Sequence, residues 1–156
     1  ENVNINNSIE HEIIRETLRE LNDNGQIIFN DENKWQFFTE AMDEFLPALD
    51  TTDSSWSTNW IYYYWFEKYE DKLIIHFELG GWNLTDELIK RSNVLIKASK
   101  KKVDEYRYKR LYYKAVKLSQ DDYEASLRNA TKSLVKSALE NEKKLLSAAK
   151  ETITES

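Results

Sequence analysis

Cysteine is absent from this 156-residue chain, and glycine, proline and histidine are scarce, with three, one and two residues. Without cysteine the chain forms no disulfide and offers no thiolate nucleophile or metal ligand, which fits a reducing compartment. The three glycines lie in no phosphate-binding loop, so P-loop and dinucleotide fingerprints are excluded. Because His11 and His76 have no metal-site spacing, we predict no metal, no cofactor and no catalytic triad.

Long apolar segments are also missing. No stretch approaches the roughly 18 consecutive apolar residues of a membrane span, and the N-terminus lacks the basic and then apolar layout of a signal peptide. The sequence therefore predicts a cytoplasmic protein without membrane association. Its first residue is Glu1 rather than Met, which indicates a trimmed chain or a fragment of a longer protein.

The residues that are present are typical of one folded domain. Hydrophobic residues make up 40%, charged residues 32% and aromatic residues 13% of the sequence, and a chain of this length buries a core without a metal or a disulfide. We predict a single α+β domain over 1–156, with residues 1–7 disordered. The expected fold is a small, mostly antiparallel sheet of three strands with about four helices, the last of them long.

Charge is divided unevenly along the sequence, although the net value is only −6. Residues 1–89 hold 5 Lys/Arg against 19 Asp/Glu, residues 90–119 hold 11 against 2, and residues 120–156 hold 6 against 7. The middle segment is therefore strongly basic on an acidic background. This pattern indicates a patch for a polyanion, charge complementarity within or between subunits, or a solvated basic face.

Three helices are predicted before the C-terminal region. Apolar residues recur on one helical face over about 8–22. Asp31 can cap a second helix, whose apolar residues follow the spacing of an amphipathic face and which ends before Pro47. A third helix is expected over about 85–101, with lysines in its last turns. The inward residues of this third helix are Leu88, Leu95 and Ile96.

Two segments, 59–69 and 72–79, alternate in the manner of β-strands and predict a hairpin closed by Glu70 and Asp71. In this register Phe66 faces Ile75, Tyr64 faces Phe77, and Tyr62 faces Leu79. One face is predicted to be buried, and it comprises Tyr62, Tyr64, Phe66, Leu73, Ile75, Phe77 and Leu79. The opposite face comprises Ile61, Tyr63, Trp65, Ile74, His76 and Glu78.

The segment 106–118 is rich in tyrosine and poor in acids, which predicts a third strand with a bulge. Because a helix connects it to the second strand, we expect a crossover connection. The third strand should then run parallel to the second strand and lie beside the first.

The basic stretch 97–114 is a candidate nucleic-acid surface, because cations engage phosphates and tyrosines stack on unpaired bases. The candidate residues are Lys100, Lys101, Lys102, Arg107, Lys109, Arg110, Tyr112 and Lys114. Packing within the sheet is the alternative role for the tyrosines.

A long helix is predicted over 121–152, capped by Asp121 or Asp122. Residues with heptad spacing form a seam along it, comprising Leu127, Thr131, Leu134, Ala138, Asn141, Leu145 and Ala148. The seam can pack on the sheet of its own domain, or it can pair with a partner protein or a second copy. For that second alternative the interface residues are Leu127, Leu134, Ala138 and Leu145.

Glu78 is the best-placed candidate for metal-assisted hydrolysis, since it stands near a strand end before a helix. The order of helix, antiparallel strands, helix and strand around it resembles the core of PD-(D/E)XK nucleases. That resemblance implies a second acid and a lysine two residues after the strand carboxylate, but Gly80 occupies the lysine position. Residues 56–149 also resemble the C-terminal portion of some bacterial and phage proteins of that superfamily. This resemblance implies an accessory region whose catalytic core lies elsewhere or has been lost.

The sequence therefore favours a non-catalytic interaction or assembly module whose long helix and charge distribution contact a partner. Nucleic-acid binding through the basic stretch is the first alternative, and a diverged nuclease using Glu78 is the second. An acidic inhibitor that mimics nucleic acid is a further reading.

Overall fold

The computed structural model of the chain describes residues 2–30, 35–49, 60–81, 84–105 and 108–155. Its helices are α1 (Asn2–Asp23), α2 (Glu40–Phe45), α3 (Asp86–Ala98) and α4 (Tyr123–Glu155). Its strands are β1 (Gln36–Phe37), β2 (Tyr62–Tyr69), β3 (Lys72–Leu79) and β4 (Lys109–Lys117). Within the described residues these strands form one antiparallel sheet in the order β1-β2-β3-β4. The α+β class and the long last helix are confirmed, whereas the sheet has four strands rather than three.

The β2–β3 hairpin has the predicted register. Tyr62 pairs with Leu79, Tyr64 with Phe77, and Phe66 with Ile75. The seven residues of the predicted buried face are each 3% exposed or less, and the Tyr64 and Phe77 rings stack with centroids 4.5 Å apart. The two-residue turn has Glu70 at φ 54°, a left-handed geometry that suits the twist of a hairpin. Alternating aromatic and apolar side chains therefore place the core on one side of the sheet.

The predicted helix from Asp31 to Leu46 is wrong over residues 35–39, which are described and not helical. Gln36 and Phe37 form the edge strand β1 beside β2, and Trp35 has a left-handed φ of 49°. The extended backbone lets Phe37 stack on Tyr64, with ring centroids 4.8 Å apart, so tertiary packing overrides the helical spacing. Helix α2 begins only after Thr39, which caps it, and it ends before Pro47 as predicted. Asp31 itself lies outside the described residues.

The direction of β4 also differs from the prediction. It runs antiparallel to β3 and lies beside it, so that Lys109 pairs with Leu79 and Lys117 with Lys72. The connection therefore begins and ends at the same end of the sheet, and α3 packs on α4 instead of crossing the sheet. The predicted bulge is present, because the register shifts between Phe77 and Glu78, opposite the buried Leu111.

Helix α1 is longer than predicted, and α3 and α4 lie within a few residues of their predicted bounds. Helix α1 begins at Asn2, earlier than the predicted start near residue 8. Once the amphipathic part from Ile9 onward is helical, adding turns to it requires no new nucleation. Helix α3 is capped by Thr85 and buries Leu88, Leu95 and Ile96 as expected. The 33 residues of α4 span about 50 Å.

Candidate functional site

The sheet has a helix face and an open face, because side chains alternate along each strand. On the helix face, the Tyr64 hydroxyl donates to Glu142 of α4 at 3.0 Å, and Lys114 Nζ donates to Ser137 of α4 at 2.9 Å. The other alternate set points away from those helices, and we call it the open face. Its members are Gln36, Tyr63, Trp65, Glu67, Tyr69, Lys72, Ile74, His76, Glu78, Arg110, Tyr113, Ala115 and Lys117.

Three rings stack across β2, β3 and β4 on the open face. His76 lies between Trp65, at a centroid distance of 4.4 Å, and Tyr113, at 6.3 Å, and both pairs are close to parallel. The neighbouring rings leave His76 only 3% exposed, whereas Tyr113 is 63% exposed. The open face therefore presents an ordered aromatic row whose outermost ring is accessible.

Ion pairs and hydrogen bonds hold this aromatic row in place. Glu78 accepts a hydrogen bond from Trp65 Nε1 and lies 3.6 Å from Arg110 Nε, so it links β2, β3 and β4. Glu67 Oε1 lies 2.9 Å from His76 Nε2, and His76 Nδ1 has no hydrogen-bond partner. Burial, and secondarily the Glu78 carboxylate, raise the pKa of Tyr63, which keeps that phenol neutral. Glu78, the candidate catalytic acid, is thus engaged in holding Trp65 and Arg110.

The candidate nucleic-acid residues are distributed over several places in the structure. Lys100, Lys101 and Lys102 are exposed in the turn after α3, and Arg110 is on the open face. Tyr112 and Lys114 are on the helix face. Lys109 is partly buried and pairs with Asp104 at 2.6 Å. Arg107 lies outside the described residues. The sequence segment is contiguous, but the fold does not gather these residues on one face.

Most of the heptad seam of α4 packs against the rest of the same chain, whereas Asn141 is partly exposed and Ala148 is exposed. Its proposed interface residues are buried, with exposed fractions of 0% for Leu127, Leu134 and Ala138 and 7% for Leu145. Helix α4 packs against α1, α3, β3 and β4. Association through these four side chains would require α4 to leave the core, so the intramolecular alternative is the arrangement that the structure has.

A polar cluster lies on the helix face of the sheet, between the sheet and helices α2 and α4, near the edge strand β1. We call it the Glu142 cluster, and its members are Thr39, Asp43, Tyr62, Tyr64 and Glu142. Glu142 Oε1 accepts hydrogen bonds from Thr39 Oγ1 at 2.6 Å and from the Tyr64 hydroxyl at 3.0 Å. The Tyr62 hydroxyl donates to Asp43 and accepts from the Thr39 backbone N–H at 3.1 Å. The cluster thereby joins α2, β2 and α4.

Burial dominates the ionisation of this cluster. Desolvation raises the pKa of Glu142 despite the hydrogen bonds from Thr39 and Tyr64, and nearby Asp43 raises it further. Desolvation likewise raises the pKa of Asp43, against the hydrogen bond from Tyr62. It also raises the pKa of both tyrosines well above the ordinary value, so they remain neutral hydrogen-bond donors. The carboxylates of the cluster therefore hold a proton more readily than exposed carboxylates do.

The sequence interpretation missed this cluster, although two signals for it exist. Tyr62 and Tyr64 occupy buried positions where phenylalanine would fit, and a buried phenol needs a partner. Glu142 follows Leu134 and Ala138 at four-residue intervals, which places an acid on the apolar stripe of α4. A tyrosine on a buried strand face and an acid on a buried helix face together predict such a contact.

In the described ranges no group of three or more His, Asp or Glu side chains is placed to hold a metal ion. No helix in that part of the chain combines the length and the apolar character that crossing a bilayer requires. Comparisons with protein families, curated proteins and solved structures find no match to this chain.

Proposed function

We propose that this chain is a non-catalytic interaction module that binds a protein partner through the open face of its sheet. The resemblance to PD-(D/E)XK proteins would make it an accessory region of a larger nuclease-like protein. The observation that supports the proposal is the Trp65–His76–Tyr113 row. Its rings are ordered before binding, which lowers the entropic cost of forming an interface.

The composition of the open face is typical of the centre of a protein interface. Tryptophan, tyrosine and arginine are enriched among the residues that contribute most to binding energy, and Trp65, Tyr113 and Arg110 lie together here. Arg110 and Tyr113 are accessible, with 49% of the Arg110 side chain and 63% of Tyr113 exposed. A partner that covers these two residues would bury both an aromatic ring and a planar guanidinium.

Charge on the open face favours a protein over a polyanion. Arg110 lies near Glu78, and Lys117 Nζ lies 3.7 Å from Asp71 in the hairpin turn. Lys and Arg side chains bind nucleic acid by neutralising phosphates, which releases the counterions condensed on the backbone. Arg110 and Lys117 already have acidic neighbours. A protein surface of mixed charge matches such a face better.

Single-stranded nucleic acid is the second candidate partner. The exposed Tyr113 ring can stack on a base, and Arg110 lies on the same strand and the same face. The turn with Lys100, Lys101 and Lys102 adds exposed cations before β4. This alternative requires one strand of nucleic acid to contact both the Tyr113 and Arg110 side chains and the lysines of the turn after α3.

Affinity capture with matched variants tests the proposal. The chain, Tyr113→Ala and Tyr69→Ala would each be immobilised and exposed to lysate of the source organism, with and without nuclease. Tyr69 is the matched control because it is 59% exposed on the same face but lies about 13 Å along the strands from the aromatic row. We expect a protein that the wild type and Tyr69→Ala retain and that Tyr113→Ala loses.

Titration of the recovered protein with the purified chain then measures the contribution of Tyr113. Truncation of a central aromatic residue should weaken binding by about tenfold or more. Recovery that disappears after nuclease treatment would favour nucleic acid instead. Equal recovery by the wild type and Tyr113→Ala would contradict the proposed surface.

A further inference from the structure

A cleft of about 380 Å³ opens beside the Glu142 cluster. Its walls come from the segment 25–28 before β1, from the start of α2 and from α4. This volume is within the range of sites for small organic molecules, about 300–1,000 Å³. The cleft lies on the helix side of the sheet, so its occupation is independent of the open face and of the proposed function.

The lining combines apolar walls with negative charge. Ile27, Ile28 and Leu139 contribute apolar surface, and Glu40 and Glu142 contribute carboxylates. The lining includes no lysine, arginine or histidine. Asp43 adds a further carboxylate close enough to Glu142 to influence it. An anion would therefore meet only like charge in the cleft.

Glu142 has one oxygen that lacks a donor. The side chain is 5% exposed, and both of its hydrogen bonds, from Thr39 and Tyr64, go to Oε1. Oε2 accepts no hydrogen bond within the described residues, and it is not among the fully buried side-chain atoms there that lack a partner, so it keeps solvent contact. A carboxylate oxygen that stays accessible in a largely buried side chain can accept from a charged donor, which forms a stronger hydrogen bond than a neutral donor does.

We propose that this cleft binds a small organic cation, a primary ammonium or guanidinium group on a short apolar body, with the cationic group on Glu142 Oε2. The apolar body packs between Ile27, Ile28 and Leu139. Glu40 at the rim attracts the cation and disfavours anions. The cation is either a free amine or the side chain of a lysine or arginine in a peptide, and the cleft chemistry is the same for both.

Calorimetric titration of the full chain tests this site. The probes are n-butylamine, benzylamine and agmatine, their neutral controls are n-butanol and benzyl alcohol, and a blocked lysine amide represents the peptide source. We expect one saturable site with amines binding about tenfold or more tightly than the alcohols. Binding of the blocked lysine would assign a peptide, and binding of the free amines alone would assign a small molecule.

Variants assign the effect to the cleft. Glu142→Gln should weaken amine binding about tenfold or more, whereas Glu140→Gln, at an exposed site on the same helix, should leave it unchanged. Ala41→Leu narrows the cleft from an exposed position on α2 and should also weaken binding without touching the carboxylate. The proposal is overturned if amines show no saturable binding up to about 10 mM, if alcohols bind equally well, or if both Glu142→Gln and Ala41→Leu bind amines as the wild type does.

Discussion

Tyr62 and Tyr64 show how single hydroxyl groups determine the arrangement of the elements around them. Each ring contributes to the aromatic core, and each hydroxyl needs a partner once it is buried. Glu142 and Asp43 accept from these hydroxyls, so α4 and α2 are held at defined positions on the sheet. Removing one partner would leave a buried polar group unsatisfied, which costs about 1–3 kcal/mol.

The ionisation of Glu142 predicts a pH dependence of stability. Burial raises the pKa of Glu142 above its ordinary value of 4.5, so the folded chain holds this proton more tightly than the unfolded chain does. The contribution of the Glu142 carboxyl group to the free energy of unfolding is therefore fully present below pH 4.5. It is lost as the pH rises through the pKa of Glu142 in the folded chain. We expect Glu142→Gln, which keeps a hydrogen-bond acceptor, to gain stability relative to the wild type as the pH increases.

Urea unfolding of the wild type and Glu142→Gln over a pH series measures this difference. The exposed substitution Glu140→Gln on the same helix is the control and should show no such trend. A stability difference between Glu142→Gln and the wild type that is constant with pH, or that shrinks as the pH rises, would contradict the raised pKa of Glu142.

Local patterns predicted some elements and failed for others for physical reasons. The hairpin was predictable in its register, because a one-residue slip would expose every core side chain. Residues 35–39 of the second predicted helix were not predictable, because the extended backbone of Phe37 is set by its pairing with Tyr64, a residue distant in sequence. The direction of β4 depends on where α3 packs, which is a contact between segments distant in sequence. Five open-face residues of the hairpin were identified from alternation, namely Tyr63, Trp65, Ile74, His76 and Glu78, whereas Ile61 of the same predicted face is buried. The stacking of Tyr113 on His76 required the pairing of β4 with β3.

At the scale of elements, α4 is predicted to stabilise its own chain. Leu134 is fully buried, and Leu134→Ala should lower the free energy of unfolding by about 2–5 kcal/mol. Lys136→Ala, at an exposed position on the same helix, should change it by about 0.5 kcal/mol or less. Urea unfolding at two protein concentrations checks both values.

The concentration series distinguishes the two alternatives for the seam. Packing within one chain gives unfolding midpoints that are independent of protein concentration, for the wild type and for Leu134→Ala. Midpoints that rise with protein concentration in the wild type, and not in Leu134→Ala, would show that the seam joins two copies.

At the scale of the whole molecule, the acidic and basic segments meet in the fold. Cations of β4 lie near acids of β3 and of the hairpin turn, as in Arg110–Glu78. Cations of α4 lie near acids of α1, as in Lys132–Glu20 at 3.1 Å. Exposed pairs of this kind contribute about 0–1 kcal/mol each, so they align elements more than they stabilise them. Part of the charge division is thus complementarity within the chain, since Arg91, Arg110 and Lys117 of the basic segment lie near acids of residues 1–89. The recognition surface that we propose is the aromatic open face.

Site-specific photocrosslinking tests that central claim most directly. The photoreactive residue p-benzoylphenylalanine would replace Tyr113 on the open face or, as a control, the exposed Ser147 on α4. After illumination in lysate, the account predicts a discrete crosslinked protein from position 113 and none from position 147. A discrete adduct from position 147 with none from position 113 would contradict it.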